Sequence, residues 1–494
     1  MMLAQTAKSR LIRLLTSVSA ILLATSAARG QCEVAQLQGS GGGGGVSHDG
    51  DVAVVGDVEA FGMLGAAYVF RRGPGGPGDW HQEAVLMAPD PDPVDIFGGP
   101  VAVSGDVIVL GAPGAAVPEF LTGAAYIYRY DRTSAEWAYE TTLTASDGDL
   151  NDIFGFSVSI DGDVLLVGAR DDENDGLPQS GSAYVFRYNG ADWVEEAKLT
   201  DPDGEQGDLF GVFVSIRGDV ALIGAHGNDD PGLDSGAAFV FRYDGAGWNL
   251  ESELNASDAE GGDRFGLSVS LGHNRAIVGA YWENSTPKGN DAGSAYIFRY
   301  DGVGWFQEQK ITASDADPLD WFGASVSISE DADTTLIGAP RDEDLGFESG
   351  SAYVFRYTKG RWDEATKLLA SDGGPGDGFG GNTVSEDIAL IKGGGKAYVF
   401  AGIQGLDCND NGEPDACDIF DETSEDQNGN GIPDECELPG DLNGDGVVGI
   451  LDLLILLAAW GPCNEPCPPA CAGDLNGNCT VNVLDLLILL ANWT

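Results

Sequence analysis

The chain has 494 residues and carries 79 Asp plus Glu against 25 Lys plus Arg, a formal net charge of −54. A polyanion of this strength repels nucleic acid and anionic lipid at long range, which argues against both as partners and leaves cations, calcium above all, as the counterpart of its carboxylates. Glycine supplies 73 residues, about twice its usual share, while β-branched and aromatic residues remain plentiful; that mixture predicts many short strands joined by many turns, not disorder.

Residues 1–30 read as an export signal. Lys8, Arg10 and Arg13 precede an apolar stretch from Leu14 to Ala24, and Ala28 and Gly30 are the small residues expected before cleavage ahead of Gln31. The apolar stretch is too short to span a bilayer. The mature chain is therefore expected to be secreted, in an extracellular or cell-surface setting, with no membrane span. Eight cysteines, an even number, suit an oxidising compartment. Seven lie between Cys408 and Cys479, so the lone Cys32 is expected to pair with a tail cysteine, Cys408 being the candidate. Neither a CxxC pair nor a His cluster points to zinc.

From residue 31 to 402 the chain repeats. Phe-Gly begins at Phe97, Phe154, Phe210, Phe265, Phe322 and Phe379, spaced by 57, 56, 55, 57 and 57 residues, with a degenerate copy at Gly42-Gly43. A Trp recurs in step at Trp80, Trp137, Trp193, Trp248, Trp305 and Trp362. The segment GAAYVF or a variant appears seven times, with its aromatic at Tyr68, Tyr126, Tyr184, Phe239, Tyr296, Tyr353 and Tyr398. Each unit resolves into four strand-like pieces, in the third copy residues 156–160, 164–169, 182–188 and 193–199. Seven four-stranded units predict a mainly β fold, a seven-bladed β-propeller. The last copy stops after its third strand, at Phe400, and EVAQL (33–37) resembles EEAKL (195–199). The N-terminal strand is thus expected to complete the seventh blade and pin the ring.

On Phe97-Gly98 with Gly111-Ala112-Pro113, and Phe322-Gly323 with Gly338-Ala339-Pro340, the chain resembles the FG-GAP repeat family, which includes the integrin α-subunit head. The resemblance implies a propeller used for extracellular binding or adhesion, often with calcium in its blade loops. The integrin-type loop DxDxDGxxD is not reproduced in any blade.

Alternating strand direction puts the second-to-third and fourth-to-first loops of every blade on one face, and those loops are the long, acidic ones. An Asp stands two residues before each Phe-Gly (Asp95, Asp152, Asp208, Asp263, Asp320 and Asp377); a part in every unit suggests a turn-forming role. The aromatics that break the repeat on this face are Phe120, Trp282, Trp321 and Phe347, candidates for stacking on a sugar or anchoring a protein, or else for local packing. Catalytic residues are not apparent: the four His occupy unrelated repeat positions, and neither GxSxG nor HExxH occurs.

After residue 402 the composition changes. DCNDNGEPDACD (407–418) and DQNGNGIPDECE (426–437) share one pattern of oxygen donors: Asp407, Asn409, Asn411, Asp415 and Asp418 in the first, Asp426, Asn428, Asn430, Asp434 and Glu437 in the second. Donors at alternate positions followed by a Gly turn can wrap one hard cation. Residues 403–438 resemble thrombospondin type 3 calcium repeats.

Residues 439–494 hold a duplication offset by 33 residues: DLNGDGVVGILDLLILLAAW (441–460) matches DLNGNCTVNVLDLLILLANW (474–493) at 14 of 20 positions. The first loop offers Asp441, Asn443, Asp445, Asp452 and the Val447 carbonyl. The second offers Asp474, Asn476, Asn478, Asn482, Asp485 and the Thr480 carbonyl. An EF-type loop running into a Leu-rich helix, twice, with Asp in the twelfth position, resembles a type I dockerin. The resemblance implies bound Ca2+ and docking to a cohesin-like or other envelope protein. Two departures stand out: Cys479 replaces the loop glycine, and the positions that would recognise cohesin are Ile450-Leu451 and Val483-Leu484. The Leu-rich helices serve either a docking partner or each other.

The expected function is that of a secreted, non-catalytic, calcium-binding protein whose propeller presents an adhesion or ligand-binding face to an extracellular protein or glycan, and whose tail docks it to a cell-surface or extracellular complex. The alternative is a carbohydrate-active enzyme, a glycosyl hydrolase or lyase, or a carbohydrate-binding accessory of a polysaccharide-degrading, cellulosome-like complex.

Overall fold

The computed structural model describes residues 32–39, 44–117, 121–174, 176–230, 232–283, 291–385, 387–405, 414–420, 423–424, 448, 450–462 and 480–491. Twenty-eight strands form seven four-stranded antiparallel sheets, the blades of a closed ring. In chain order these are blades I (46–86), II (101–143), III (157–199), IV (214–254), V (268–311), VI (325–368) and VII (381–401 with 32–38). Blade III shows why the sequence folds this way. Its strands are Ser157–Asp161, Val164–Ala169, Ser182–Tyr188 and Trp193–Leu199, from the central channel outwards. Every residue of Val164–Ala169 is buried, because that strand lies between two neighbouring blades and has no solvent face. The outer strand alternates, with Trp193 and Leu199 buried and Val194 exposed.

Both halves of the repeat motif are explained at the contact between blades. The Phe of each Phe-Gly is fully buried and meets the aromatic of its own third strand edge-on or tilted, as Phe154 does Tyr184 (ring centroids 5.5 Å apart) and Phe322 does Tyr353 (5.3 Å). The Gly of Gly-Ala, one blade earlier, clears space for the next Phe-Gly turn. A Cβ on Gly168 would stand 2.0 Å from the Gly211 carbonyl oxygen, so no other residue fits. Blades are also tied by side chains. Near the channel, the hydroxyls of Ser159, Ser215 and Ser270 each accept an N–H of the next inner strand, from Ile216, Leu271 and Ile328, at 3.0–3.2 Å. At the rim the recurring Trp donates to a Glu of the preceding blade: Trp137 to Glu83, Trp248 to Glu196, Trp305 to Glu251 and Trp362 to Glu308, at 2.9–3.2 Å.

The ring closes as expected. Cys32–Gln38 pairs antiparallel with Lys396–Ala401, Cys32 opposite Ala401 and Gln38 opposite Lys396. The likeness of EVAQL to EEAKL is functional in the fold: Glu33 accepts the Ser371 N–H at 2.9 Å, as Glu195 accepts that of Ser146 at 3.0 Å. The cysteine expectation needs correction. Cys32 is bonded to Cys417, not Cys408, with Cα atoms 5.6 Å apart. Pro414 sits over Gly402, and the short helix α1 (Asp415–Phe420) packs on the closing strand, burying Ala416 and Cys417 beside Val34. Cys408 lies outside the described residues, as do Gly42 and Gly43.

In the tail, helices α2 (Ile450–Ala458) and α3 (Val483–Ala491) pack together, with Gly461–Pro462 paired to Thr480–Val481. Val448, Leu456, Val481 and Leu489 form their small core. Among the described residues no helix is long and apolar enough to cross a membrane.

Candidate functional site

The second-to-third loop of each blade and the connection entering the next blade share one face. They meet through isolated parallel bridges, Gly123 with Phe154, Gly181 with Phe210, Gly293 with Phe322 and Gly350 with Phe379. The recurring Asp builds that connection. In all six copies its carboxylate accepts the backbone N–H three residues earlier, at 2.5–3.0 Å. The turn-forming reading therefore holds. Burial pushes Asp152, Asp208, Asp263 and Asp320 up to about 6 and raises Asp95, despite the N–H bond that favours the charged form.

Much of the acidity of this face is spent internally. In blade III Lys198 bridges Asp147 (2.8 Å) and Asp172 (2.9 Å), and the Tyr184 hydroxyl lies 2.8 Å from an oxygen of each carboxylate, with one proton to donate between them. Lys310 with Asp258, Glu283 and Tyr296 repeats this in blade V, and Lys367 with Asp315, Asp342 and Tyr353 in blade VI. Burial works against the charge of Lys367, yet its carboxylate partners raise its pKa. Blade IV lacks the lysine: Phe239, Glu253 and Asn228 occupy the three positions, and burial followed by Glu253 raises Asp201. Among the described residues no group of three or more His, Cys, Asp or Glu is placed to hold a metal ion.

The repeat-breaking aromatics gather at blades V and VI. Tyr281 touches both Trp282 (centroids 5.5 Å apart) and Trp321 (5.2 Å), and guanidiniums cover the flanking rings: Arg264 lies 3.9 Å over Trp282 and Arg341 3.6 Å over Trp321. Trp321 occupies the position before Phe-Gly, where φ is +61°. Ile96, Ile153, Leu209 and Arg264 share that left-handed conformation, at +51° to +59°. Phe347, 65% exposed, rims an acidic cleft of about 600 Å³ that also contains Arg341. The structure thus brings Trp282 and Trp321 together, with Phe347 beside Arg341. Phe120 lies outside the described residues. Sequence reasoning missed Tyr281, Arg264 and Arg341. All three depart from the residue type at their repeat positions, a signal that could have found them.

A channel of about 850 Å³ runs through the ring, lined by the inner strands of all seven blades. Its charged lining residues are Arg170, Asp171 and Lys392. Burial pushes Lys392 down to about 8, and its ammonium donates to the Gly44 carbonyl.

Of the tail residues singled out from sequence as calcium ligands, six lie within the described parts. The Thr480 carbonyl accepts from Asn482 Nδ2 at 2.7 Å, Asp485 is buried and accepts the Asn482 N–H at 2.8 Å, and Asp418 holds Thr423 at 3.0 Å. Asp415 begins α1 and Asp452 lies within α2. The remaining loop positions are outside the described residues: Asp407, Asn409, Asn411, Asp426, Asn428, Asn430, Asp434, Glu437, Asp441, Asn443, Asp445, Val447, Asp474, Asn476 and Asn478. Ile450, Val483 and Leu484 are exposed, each by more than half.

A family description, FG-GAP repeat, matches residues 80–128, 137–186, 193–241, 248–298 and 305–355, together about half of the chain. The chain belongs to the FG-GAP repeat family. Each matched FG-GAP unit runs from the outer strand of one blade to the third strand of the next, so the repeat is offset by one strand from the blade. That offset is what lets the N-terminal strand close the FG-GAP ring. FG-GAP propellers are of a kind typically used in adhesion or ligand binding. No curated protein matches the chain.

Proposed function

We propose that this protein is a secreted, non-catalytic binding protein whose propeller takes an extracellular ligand on its loop face, and whose calcium-binding, dockerin-like tail attaches it to a cell-surface or extracellular assembly. The observation that carries the reading is the Tyr281–Trp282–Trp321 cluster. Seven near-equal blades need no such group for closure, and the partly exposed rings of Trp282 and Trp321, held by buried Tyr281, suit a sugar face or an apolar anchor of a protein. Fold alone assigns no ligand, so the argument rests on these residues. The tail supports attachment because its two helices bury only one side against each other. Ile450, Leu454 and Leu457 on α2, and Val483, Leu487 and Leu490 on α3, remain exposed at i, i+4 and i+7.

A second reading, a carbohydrate-binding accessory of a polysaccharide-degrading complex, is favoured by the same aromatic cluster and differs only in the ligand. The test is a binding array of glycans and extracellular proteins probed with the full chain, in calcium and then in chelator. Retention of a ligand with no product released supports the proposal. Release of sugar from any bound polysaccharide, abolished by one carboxylate substitution, would replace it with an enzymatic role.

A further inference from the structure

The channel mouth on the loop face carries a feature at odds with a chain of net charge −54. From blade III to blade VI, arginines lie over aromatic rings among the acidic loops. Arg170 lines the channel and lies 3.9 Å over the Phe156 ring. Buried His226 is pushed down to about 4, first by its burial and then by Arg264 and Arg170. Arg264 stacks on Trp282, Trp282 meets Tyr281, Tyr281 meets Trp321, and Arg341 covers Trp321. The result is one continuous crescent from Arg264 to Arg341.

The arginines of this crescent are poorly matched to carboxylates. At the blade rim Arg242 grips Glu251 through two bonds of 2.7 and 2.9 Å. In the crescent, Arg341 reaches Glu348 at 3.3 Å and Arg264 forms no ion pair among the described residues. A guanidinium over a ring that lacks a carboxylate partner can direct its N–H groups to an oxyanion.

We propose that this crescent binds an acidic saccharide, a sugar unit bearing one carboxylate or sulfate, with Arg264 receiving the anion and Trp282 and Trp321 setting the sugar's orientation. This rests on the reading of the loop face as a ligand-binding face and names its ligand class. A further observation selects the class. The overall negative charge repels long polyanions, so a short acidic sugar reaches the crescent where a polyelectrolyte does not.

The test is isothermal titration of the full chain at physiological salt with tri-galacturonate, with its neutral counterpart galactotriose, and with tri-glutamate. The proposal expects tri-galacturonate to bind at least about tenfold more tightly than galactotriose, the least that one charge-assisted hydrogen bond is worth. Arg264→Gln should remove about tenfold of that affinity. Arg132→Gln, in an exposed turn on the opposite face, should leave it unchanged. Arg341→Gln is the alternative should Arg264→Gln lose its native circular dichroism. Equal binding of the neutral sugar, or indifference to the arginine substitutions, overturns the anion assignment while leaving a ligand-binding face intact. Binding of tri-glutamate alone overturns the saccharide assignment in favour of an acidic peptide. If none of the three binds, the inference is lost, and the glycan and protein array decides separately whether the face binds anything.

Discussion

The Cys32–Cys417 bond and the strand it anchors make a quantitative prediction. The disulfide spans 385 residues of sequence, so in the chain-entropy account it removes about 6 kcal/mol of loop freedom from the unfolded state. Measured values for native disulfides are usually about 2–5 kcal/mol, because unfolded chains retain structure. Replacing both cysteines by Ser avoids reducing other bonds. It leaves Cys32–Gln38 hydrogen-bonded to Lys396–Ala401, and Val34 and Leu37 still buried. The variant should therefore keep its native circular dichroism. Its urea midpoint should fall by roughly 1 M, taking about 4 kcal/mol of lost stability and a denaturant slope of about 4 kcal/mol/M for a domain of this size. Hydrogen exchange should locate the loss: amides of the Cys32–Gln38 and Lys396–Ala401 pair become less protected before those of blades II to V. An unchanged midpoint, or protection lost first in a blade remote from the seam, would refute the view that the two ends hold the ring.

Asp208 tests the acid-base reading of the recurring turn. Its carboxyl titrates near 6 in the folded chain against 3.8 unfolded, so the folded state binds more protons between those values and stability falls as pH rises through that window. Asp208→Asn keeps an oxygen to accept the Glu205 N–H and should be more stable than the parent at pH 7.5 by about 1–2 kcal/mol after solvent screening, with the advantage gone by about pH 4. Comparing the two chains at each pH cancels the opposite trend from His48 and His226, both pushed down to about 4 by burial. An advantage independent of pH would contradict the shift. Glycine substitutions separate close packing from turn strain in thermal melts. Gly168→Ala drives a Cβ to 2.0 Å from the Gly211 carbonyl and should cost about 3 kcal/mol or more. Gly218→Ala, at φ +54° with nothing near its Cβ, should cost about 1 kcal/mol. Equal costs would contradict the account of the Gly-Ala motif.

Most of the ring was legible because its signals repeat. Phe-Gly, Gly-Ala and Trp recur in register, and each mark has its own physical role, as a buried ring, a glycine that a neighbouring carbonyl touches, or a donor to the preceding blade. Closure was legible too, since EVAQL carries the Glu that caps a Ser turn in other blades. What the sequence hid comes from residues brought together across repeats. Arg264, Trp282, Trp321 and Arg341 meet although they span 77 residues of chain, and no two neighbours in that series share a blade position. The left-handed φ at Ile96, Leu209 and Trp321 was equally hidden, because those residue types disfavour it and only the tertiary turn imposes it. The acidic loops of this face prove to be held in part by Lys198, Lys310 and Lys367, which lie on outer strands about 50 residues from one partner. Cys417 was one of seven possible partners for Cys32, and the fold of the segment after the ring decided among them.

The central claim is that the loop face at blades V and VI is where this propeller binds, and the most direct measurement is the binding array repeated with two variants. Trp282→Ala/Trp321→Ala removes the cluster, while Val303→Asp alters the most exposed apolar residue of a turn on the opposite face, 91% accessible. The account predicts that the first loses the ligands the parent retains and the second keeps them. Retention by the Trp variant together with loss in the Val303 variant would put the binding surface on the other side of the ring.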